Sequence, residues 1–221
     1  MLIGSMNRSR LGTVAIVAAL AFFSAVCVAG KHFVMPTAQP AKSYPAHDEH
    51  PTEAVTLALD PYDMPDKASI FSNHYGEAGF LPIFVVISND GDQPVSLVGM
   101  KPELITANRS KISPATEDDI YRRFARPSAN IAPSPLPWPK KAKGGVSKDL
   151  MEESQDAQFA ARAVEPHGTQ SGFMFFDVSG ISAPMAGAHF YLTGVRDAKG
   201  NELMYFEVAL EKYLSAPQKP H

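Results

Sequence analysis

The chain is poor in the residues that most chemistry would need, and each shortage excludes something. Its one cysteine, Cys27, lies in an N-terminal apolar run, so residues 31–221 hold no thiol at all. That removes an intramolecular disulfide, a zinc-thiolate site and cysteine catalysis from the body in one step. Positive charge is short as well. The 20 Lys and Arg face 23 Asp and Glu for a net −3, and two of the cations, Arg8 and Arg10, precede the apolar run. A mildly acidic body lacks the surplus that neutralises phosphates, so nucleic acid is not an expected partner. There is no Gly-x-Ser-x-Gly elbow, and no glycine-rich phosphate loop leads into a helix. Asp60, Asp63, Asp90 and Asp92 stand in turn sequences, where carboxylates ordinarily cap backbone amides instead of pairing for glycosidase chemistry. Asn89-Asp90-Gly91-Asp92 falls far short of a twelve-residue calcium loop. The sequence therefore names no catalytic residue and no cofactor, and a non-enzymatic role is the expectation.

What is present begins with an address. Residues 1–30 read as a signal peptide or signal anchor: a basic start carrying Arg8 and Arg10, an uncharged run over 11–30, then small residues where a peptidase could cut. The run is long for a signal core and close to the ~20 residues that span a bilayer, so cleavage and retention both remain open. Lipidation at Cys27 is a third option, although Ser24 and Val26 occupy positions where a leucine-like and a small residue are wanted. Positive charge ahead of the run puts that end in the cytoplasm, and all three readings place residues 31–221 outside it, in a periplasm or cell envelope.

Beyond the run, residues 31–52 carry Pro36, Pro40, Pro45 and Pro51 and few large aliphatics, which reads as a Pro-rich tether. Strands are predicted at 54–59, 80–88, 94–98, 101–107, 159–164, 172–178, 189–195 and 202–210. The run FLPIFVVIS at 80–88 is apolar throughout, as expected of a central strand packed on both faces. With the Asn-Asp-Gly turn and 94–98 it reads as a hairpin. A short helical turn is expected at 65–72. Thr116, followed by three acids, reads as an N-cap with Asp119 in the reciprocal position, and Ser147 as the cap of a second short helix over 148–158. Residues 189–195 and 202–210 form a last hairpin with Phe190, Leu192, Met204, Phe206, Val208 and Leu210 as its apolar set. Short strands at turn spacing, without βαβ alternation, predict an all-β fold: an immunoglobulin-like two-sheet antiparallel β-sandwich over 53–214. It has a helical, Pro-rich insertion at 114–157 and a disordered tail at 215–221.

The stretches ALDPYDMPDKASIF, GFLPIFVVISNDGDQPVSL, ISPATEDDIYRRF, FFDVSG and VRDAKGNELMYFEVAL resemble a group of uncharacterised bacterial exported or membrane-anchored proteins with an immunoglobulin-like domain. The resemblance covers residues 54–211 in patches. It implies a fold and an address, and carries over no activity.

Two places invite a functional reading. His47-Asp48-Glu49-His50, with Glu53 after it, sets two imidazoles three apart among carboxylates, a donor set suited to zinc, copper or nickel. A metal-binding periplasmic protein using His47 and His50 is the alternative this raises; a solvated polar linker is the plainer account. The loop at 131–139, IAPSPLPWP, offers the chain's only tryptophan, Trp138, among prolines that lower the entropy of ordering. Arg122, Arg123 and Arg126 on one side of it and Lys140, Lys141 and Lys143 on the other either dock an acidic partner or complement a helix end. The expected role is a non-catalytic extracytoplasmic envelope module, either binding another envelope protein or serving as a structural domain of a larger assembly.

Overall fold

Alternating and continuous apolar runs dominate the body, and they become strands. The computed structural model describes residues 32–125 and 145–217, all within the unit His32–His221. In chain order the strands are β1 (Ala46–His50), β2 (Val55–Pro61), β3 (Phe80–Asn89), β4 (Val95–Ser96), β5 (Lys101–Ile105) and β6 (Lys111–Ile112). They continue as β7 (Ala163–Val164), β8 (Gly168–Asp177), β9 (His189–Thr193) and β10 (Phe206–Ala209). Four short helices accompany them: α1 (Pro65–Ala68), α2 (Glu117–Phe124), α3 (Lys148–Ala157) and α4 (Glu211–Leu214). The protein is mostly β with antiparallel sheets. One sheet runs β1-β2-β3-β8, a second runs β10-β9-β5-β6, and β4 pairs with β7 in a two-residue ladder.

The two larger sheets share a core. Leu57, Leu59, Ile83, Val85 and Ile87 of the first meet Leu104, Phe190, Leu192, Phe206 and Val208 of the second in one buried cluster. All ten residues of β3 are buried, because alternate side chains face two different layers. Ile83, Val85 and Ile87 enter the inter-sheet core, whereas Phe84 and Val86 join a second cluster on the opposite face with Phe173 and Phe175 of β8. That second cluster is roofed by Phe33, Tyr62, Phe71, Tyr75, Ile120 and Leu150. The first sheet is thus covered on both faces, as the unbroken apolar run at 80–88 predicts. In the second sheet, Phe190, Leu192, Phe206 and Val208 are buried, and the residues between them are only partly covered.

The helices that form the roof start where the sequence says they should. Thr116 Oγ1 accepts from Asp119 N at 3.2 Å and Asp119 Oδ2 accepts from Thr116 N at 3.0 Å, a complete capping box. Ser147 Oγ accepts from Leu150 N at 3.2 Å at the head of α3. Both helices lie within the predicted insertion; residues 126–144, with Trp138 and the Lys140–Lys143 patch, lie outside the described residues, as do 218–221.

Three expectations need correction. The first is the 80–98 hairpin. Both edges of β3 are taken by longer partners, β2 over seven residue pairs and β8 over ten, while β4 offers two residues and pairs with β7. Asn89 directs this: its Nδ2 donates to Gln93 O at 2.7 Å and to Val164 O at 3.2 Å, so the turn leads the chain away from β3 and toward β7. The second is the tether at 31–52. Ala41–Ser43 is a 3-10 turn with Ala41 fully buried and its N–H bonded to Ser88 Oγ at 2.9 Å. Residues Ala46–His50 then pair with β2 in full register. Pro45 stops just before the strand and Pro51 falls just after it, so no proline interrupts the ladder. The third is the strand at 159–164, of which only Ala163–Val164 forms. Phe159 instead donates its N–H to Phe173 O at 3.0 Å, and the backbone comes so near that a Cβ on Gly172 would lie 2.5 Å from Phe159 Cα.

Candidate binding face

Strand geometry separates the two histidines singled out in the sequence. Successive side chains of a strand alternate in face, so residues three apart point opposite ways. His47 turns its Nδ1 to Tyr44 O at 2.6 Å. His50 lies on the other face, its ring stacked on Phe206 at 4.1 Å and 12°. Its Nε2 is 3.2 Å from Asp48 Oδ2 and its Nδ1 is 2.9 Å from Glu53 Oε2. The same two carboxylates accept backbone N–H groups at the margin of the second sheet, Glu207 N on Asp48 Oδ2 at 2.9 Å and Met204 N on Glu53 Oε1 at 3.0 Å. His50 is therefore the hub of a clasp joining β1 of one sheet to β10 of the other, and it does not share a ligand set with His47. Among the described residues no group of three or more His, Cys, Asp or Glu is arranged to hold a metal ion.

The outer face of the second sheet, left partly exposed by the described residues, gathers a polar and aromatic group. Period 2 sends His189 and Tyr191 of β9 and Glu207 of β10 to that face, while Phe190 and Val208 go to the core. Tyr191 and Glu207 are directly opposite in register. Tyr191 Oη donates to Glu207 Oε1 at 2.6 Å, and His189 Nδ1 lies 2.9 Å from the same oxygen. That hydrogen bond, with burial second, pushes the Tyr191 phenol up to about 12. The Tyr205 ring, about half exposed, lies 6.0 Å from the Tyr191 ring, and the His189 ring lies 6.4 Å away on the other side. Met204, 68% exposed, adjoins them. Each ring is on a strand or next to one, and Glu207 holds that of Tyr191 by a hydrogen bond. The face is consequently ordered before anything binds, and a rigid tyrosine presents contact area at little entropic cost.

Other polar groups are spent within the fold. Lys67, 7% exposed, is bonded to Asp60 and to Pro61 O at 3.1 Å, with the Tyr62 and Tyr213 rings 5.0 and 4.7 Å from its Nζ. Burial, followed by neighbouring carboxylates, pushes both phenols far above the ordinary tyrosine range. This group pins α4 to the loop after β2. A recess of about 490 Å³ beside α2 is lined by His74, Glu77, Arg123 and Phe124, among others. Arg123 is committed there to Asp177, to Ser179 Oγ at 2.6 Å and to Ala78 O at 3.2 Å. Desolvation opposes ionisation of Asp177, but Ser179 and Arg123 outweigh it and hold the carboxyl below the usual range. Beneath this recess Glu153, 4% exposed, accepts from Asn73 N at 3.1 Å and Asn73 Nδ2 at 3.0 Å. His167 is 3.1 Å from Asp92, both exposed, at the far turns.

The open face is what sequence reading passed over. His189 reads as an ordinary strand-face histidine, and the outward half of HFYLT and YFEVAL draws no notice while the inward half is used to place the core. The signal was available: two aromatic residues and a histidine on the polar phase of paired strands.

Among the described residues no helix is long and apolar enough to cross a membrane. No family description matches the chain, and no curated protein does. A solved structure that it resembles is the 2.2 Å crystal structure of a conserved hypothetical protein from Bacillus anthracis. The two are 12% identical with a TM-score of 0.30, over 71% of this chain and 87% of that one. A likeness so slight carries no argument about either protein.

Proposed function

We propose that the chain is a non-catalytic, exported module of immunoglobulin-like connectivity that binds another envelope protein through the uncovered face of its second sheet. The observation that carries this reading is the asymmetry of cover. One sheet is roofed by an aromatic layer; the other leaves Tyr191, Tyr205, His189 and Glu207 facing solvent in a fixed arrangement. Tyrosines on a rigid support are typical anchors of protein interfaces. The immunoglobulin-like reading is supported by the order of strands. With β2, β3 and β8 standing as A, B and E, and β6, β5, β9 and β10 as C′, C, F and G, the sheets are A-B-E and C′-C-F-G, and β1 flanks A. The export reading rests on the basic start and apolar run of residues 1–30.

A photocrosslinking amino acid at Tyr205, compared with one at Met151 on the roof of the first sheet, tests the docking face; both positions are exposed. In intact producing cells the position at Tyr205 should give one discrete adduct and the position at Met151 none. Adducts at neither position, or equally at both, would contradict the assignment.

A further inference from the structure

Strand register sets a row of three side chains across the outer face of the second sheet. Tyr191 of β9 has Glu103 of β5 directly opposite on one side and Glu207 of β10 directly opposite on the other. Directly opposed residues share a face. Glu103 is paired with Lys111 of β6 at 3.1 Å, and Lys101, two residues earlier on β5, stands exposed on the same face. The lysines of the face therefore lie along β5 and β6. At the β10 end, no lysine or arginine among the described residues pairs with Glu207. Its Oε1 accepts from the Tyr191 hydroxyl at 2.6 Å and lies 2.9 Å from His189 Nδ1, whereas its Oε2 receives no hydrogen bond from the described residues. A surface that closes over the Tyr191 and Tyr205 rings also closes over this carboxylate, which is 35% exposed. An ionised carboxylate only accepts hydrogen bonds, so covering Oε2 without a donor leaves a charge desolvated and unpaired. A wholly apolar partner and an acidic one are both penalised there.

We propose that the partner presents an arginine to the β10 end of this face, its guanidinium donating to Glu207 Oε2 and lying against the Tyr191 and Tyr205 rings. The inference deepens the docking reading of this face and rests on it. A planar guanidinium gives a carboxylate two parallel donors and gives an aromatic ring a flat surface; a lysine ammonium offers neither. The ring faces of tyrosine attract a cation in their own right. The two rings lie 6.0 Å apart, and the hydrogen bond from Tyr191 to Glu207 fixes the carboxylate beside them. The site for the cation is thus formed before the partner arrives.

The test places the photocrosslinking amino acid at Met204, 68% exposed, in the full chain, so that both tyrosines stay in place. In intact producing cells the adduct should fall about tenfold or more with Glu207→Gln, the scale for losing a close interfacial charge pair. It should hold with Lys111→Gln at the other end of the face. The partner peptide that carries the crosslink should contain an arginine. Replacing that arginine by glutamine should lower the adduct by a similar factor, and the two changes together by no more than either alone, as for residues in direct contact. If Glu207 only ordered Tyr191, the two losses would multiply. Multiplying losses, an adduct unchanged by Glu207→Gln, an equal fall with Lys111→Gln, or a crosslinked peptide without arginine overturns the inference and leaves the docking face standing. No adduct at Met204 or at Tyr205 overturns both.

Discussion

The two large sheets are written in different patterns and meet solvent differently. In the first, the central strand FLPIFVVISN is buried at every position and its partner carries Phe173, Met174, Phe175 and Phe176 in succession, all buried. In the second, HFYLT and FEVA alternate, with every other residue turned outward. A continuous apolar run needs two layers to receive it, and an alternating run needs one. The contrast teaches that cover, more than strand length, separates the scaffold of this protein from the face proposed to bind a partner. Aromatic residues serve both regions, packed mostly edge to face in the roof and set side by side at the surface in the open face.

The comparison breaks or sharpens under substitution. The largest effect is expected at Phe173, whose ring meets those of Tyr62, Phe71 and Phe84 at 4.8–5.0 Å. Phe173→Ala should cost about 3–5 kcal/mol in chemical denaturation, the range for a buried phenylalanine. Tyr205→Ala on the open face should stay within about 0.5 kcal/mol; a comparable loss at both would erase the distinction. Next comes the clasp between the sheets. His50→Ala leaves the Asp48 and Glu53 carboxylates facing each other without the imidazole, and should cost about 1–3 kcal/mol by the same measurement. A neutral result would show that β1 and β10 are held by packing alone.

A smaller loss, about 1 kcal/mol, is expected for Thr116→Ala at the head of α2 in the roof. The Thr116 hydroxyl and amide, with Arg122 behind them, hold the Asp119 carboxyl below its ordinary value. A depressed acid adds stability that is present above its unfolded pKa and lost as pH falls through the folded one. Thr116→Ala should therefore flatten the acid limb of the stability profile as well as lower its plateau. The smallest effect is spectroscopic. Tyr191 should titrate near pH 12, later than a free phenol, because Glu207 accepts its proton-bearing hydroxyl. A raised phenol stabilises the fold fully below pH 10 and ceases to as pH climbs through about 12. Glu207→Gln should bring its ultraviolet titration back toward 10; an unchanged curve would show that the pair does not order the face.

Much of the scaffold was legible in the sequence because local rules agree there with the fold. The uninterrupted run at 80–88, the Thr116 and Asp119 capping positions and the alternation of Phe190, Leu192, Phe206 and Val208 read correctly, whereas Met204, expected in the same apolar set, is 68% exposed because the last strand begins only at Phe206. The failures have physical causes. AHDEH lacks the apolar alternation of a strand and forms one because the outer edge of β2 takes it up, with His50 and its carboxylates replacing apolar packing. The 80–98 hairpin fails because a long-range partner, β8, outcompetes the neighbouring segment for the edge of β3. Residues 33–44 read as a spacer because their prolines signal an extended chain, and an extended chain can also lie flat on an aromatic layer. Of the candidate site, the outward residues Tyr191 and Glu207 were visible as a phase of alternation. Their pairing depended on the register between β9 and β10, which no single strand reveals.

The claim on which the rest stands is that, among the described residues, one sheet is covered on both faces and the other on one. Paramagnetic relaxation of aromatic ring signals by an inert soluble gadolinium chelate measures this directly. The rings of Phe84, Phe173 and Phe175 should be as protected as Phe190 in the inter-sheet core, while Tyr191 and Tyr205 relax strongly. Relaxation of Phe173 and Phe175 comparable to that of Tyr205 would contradict the account.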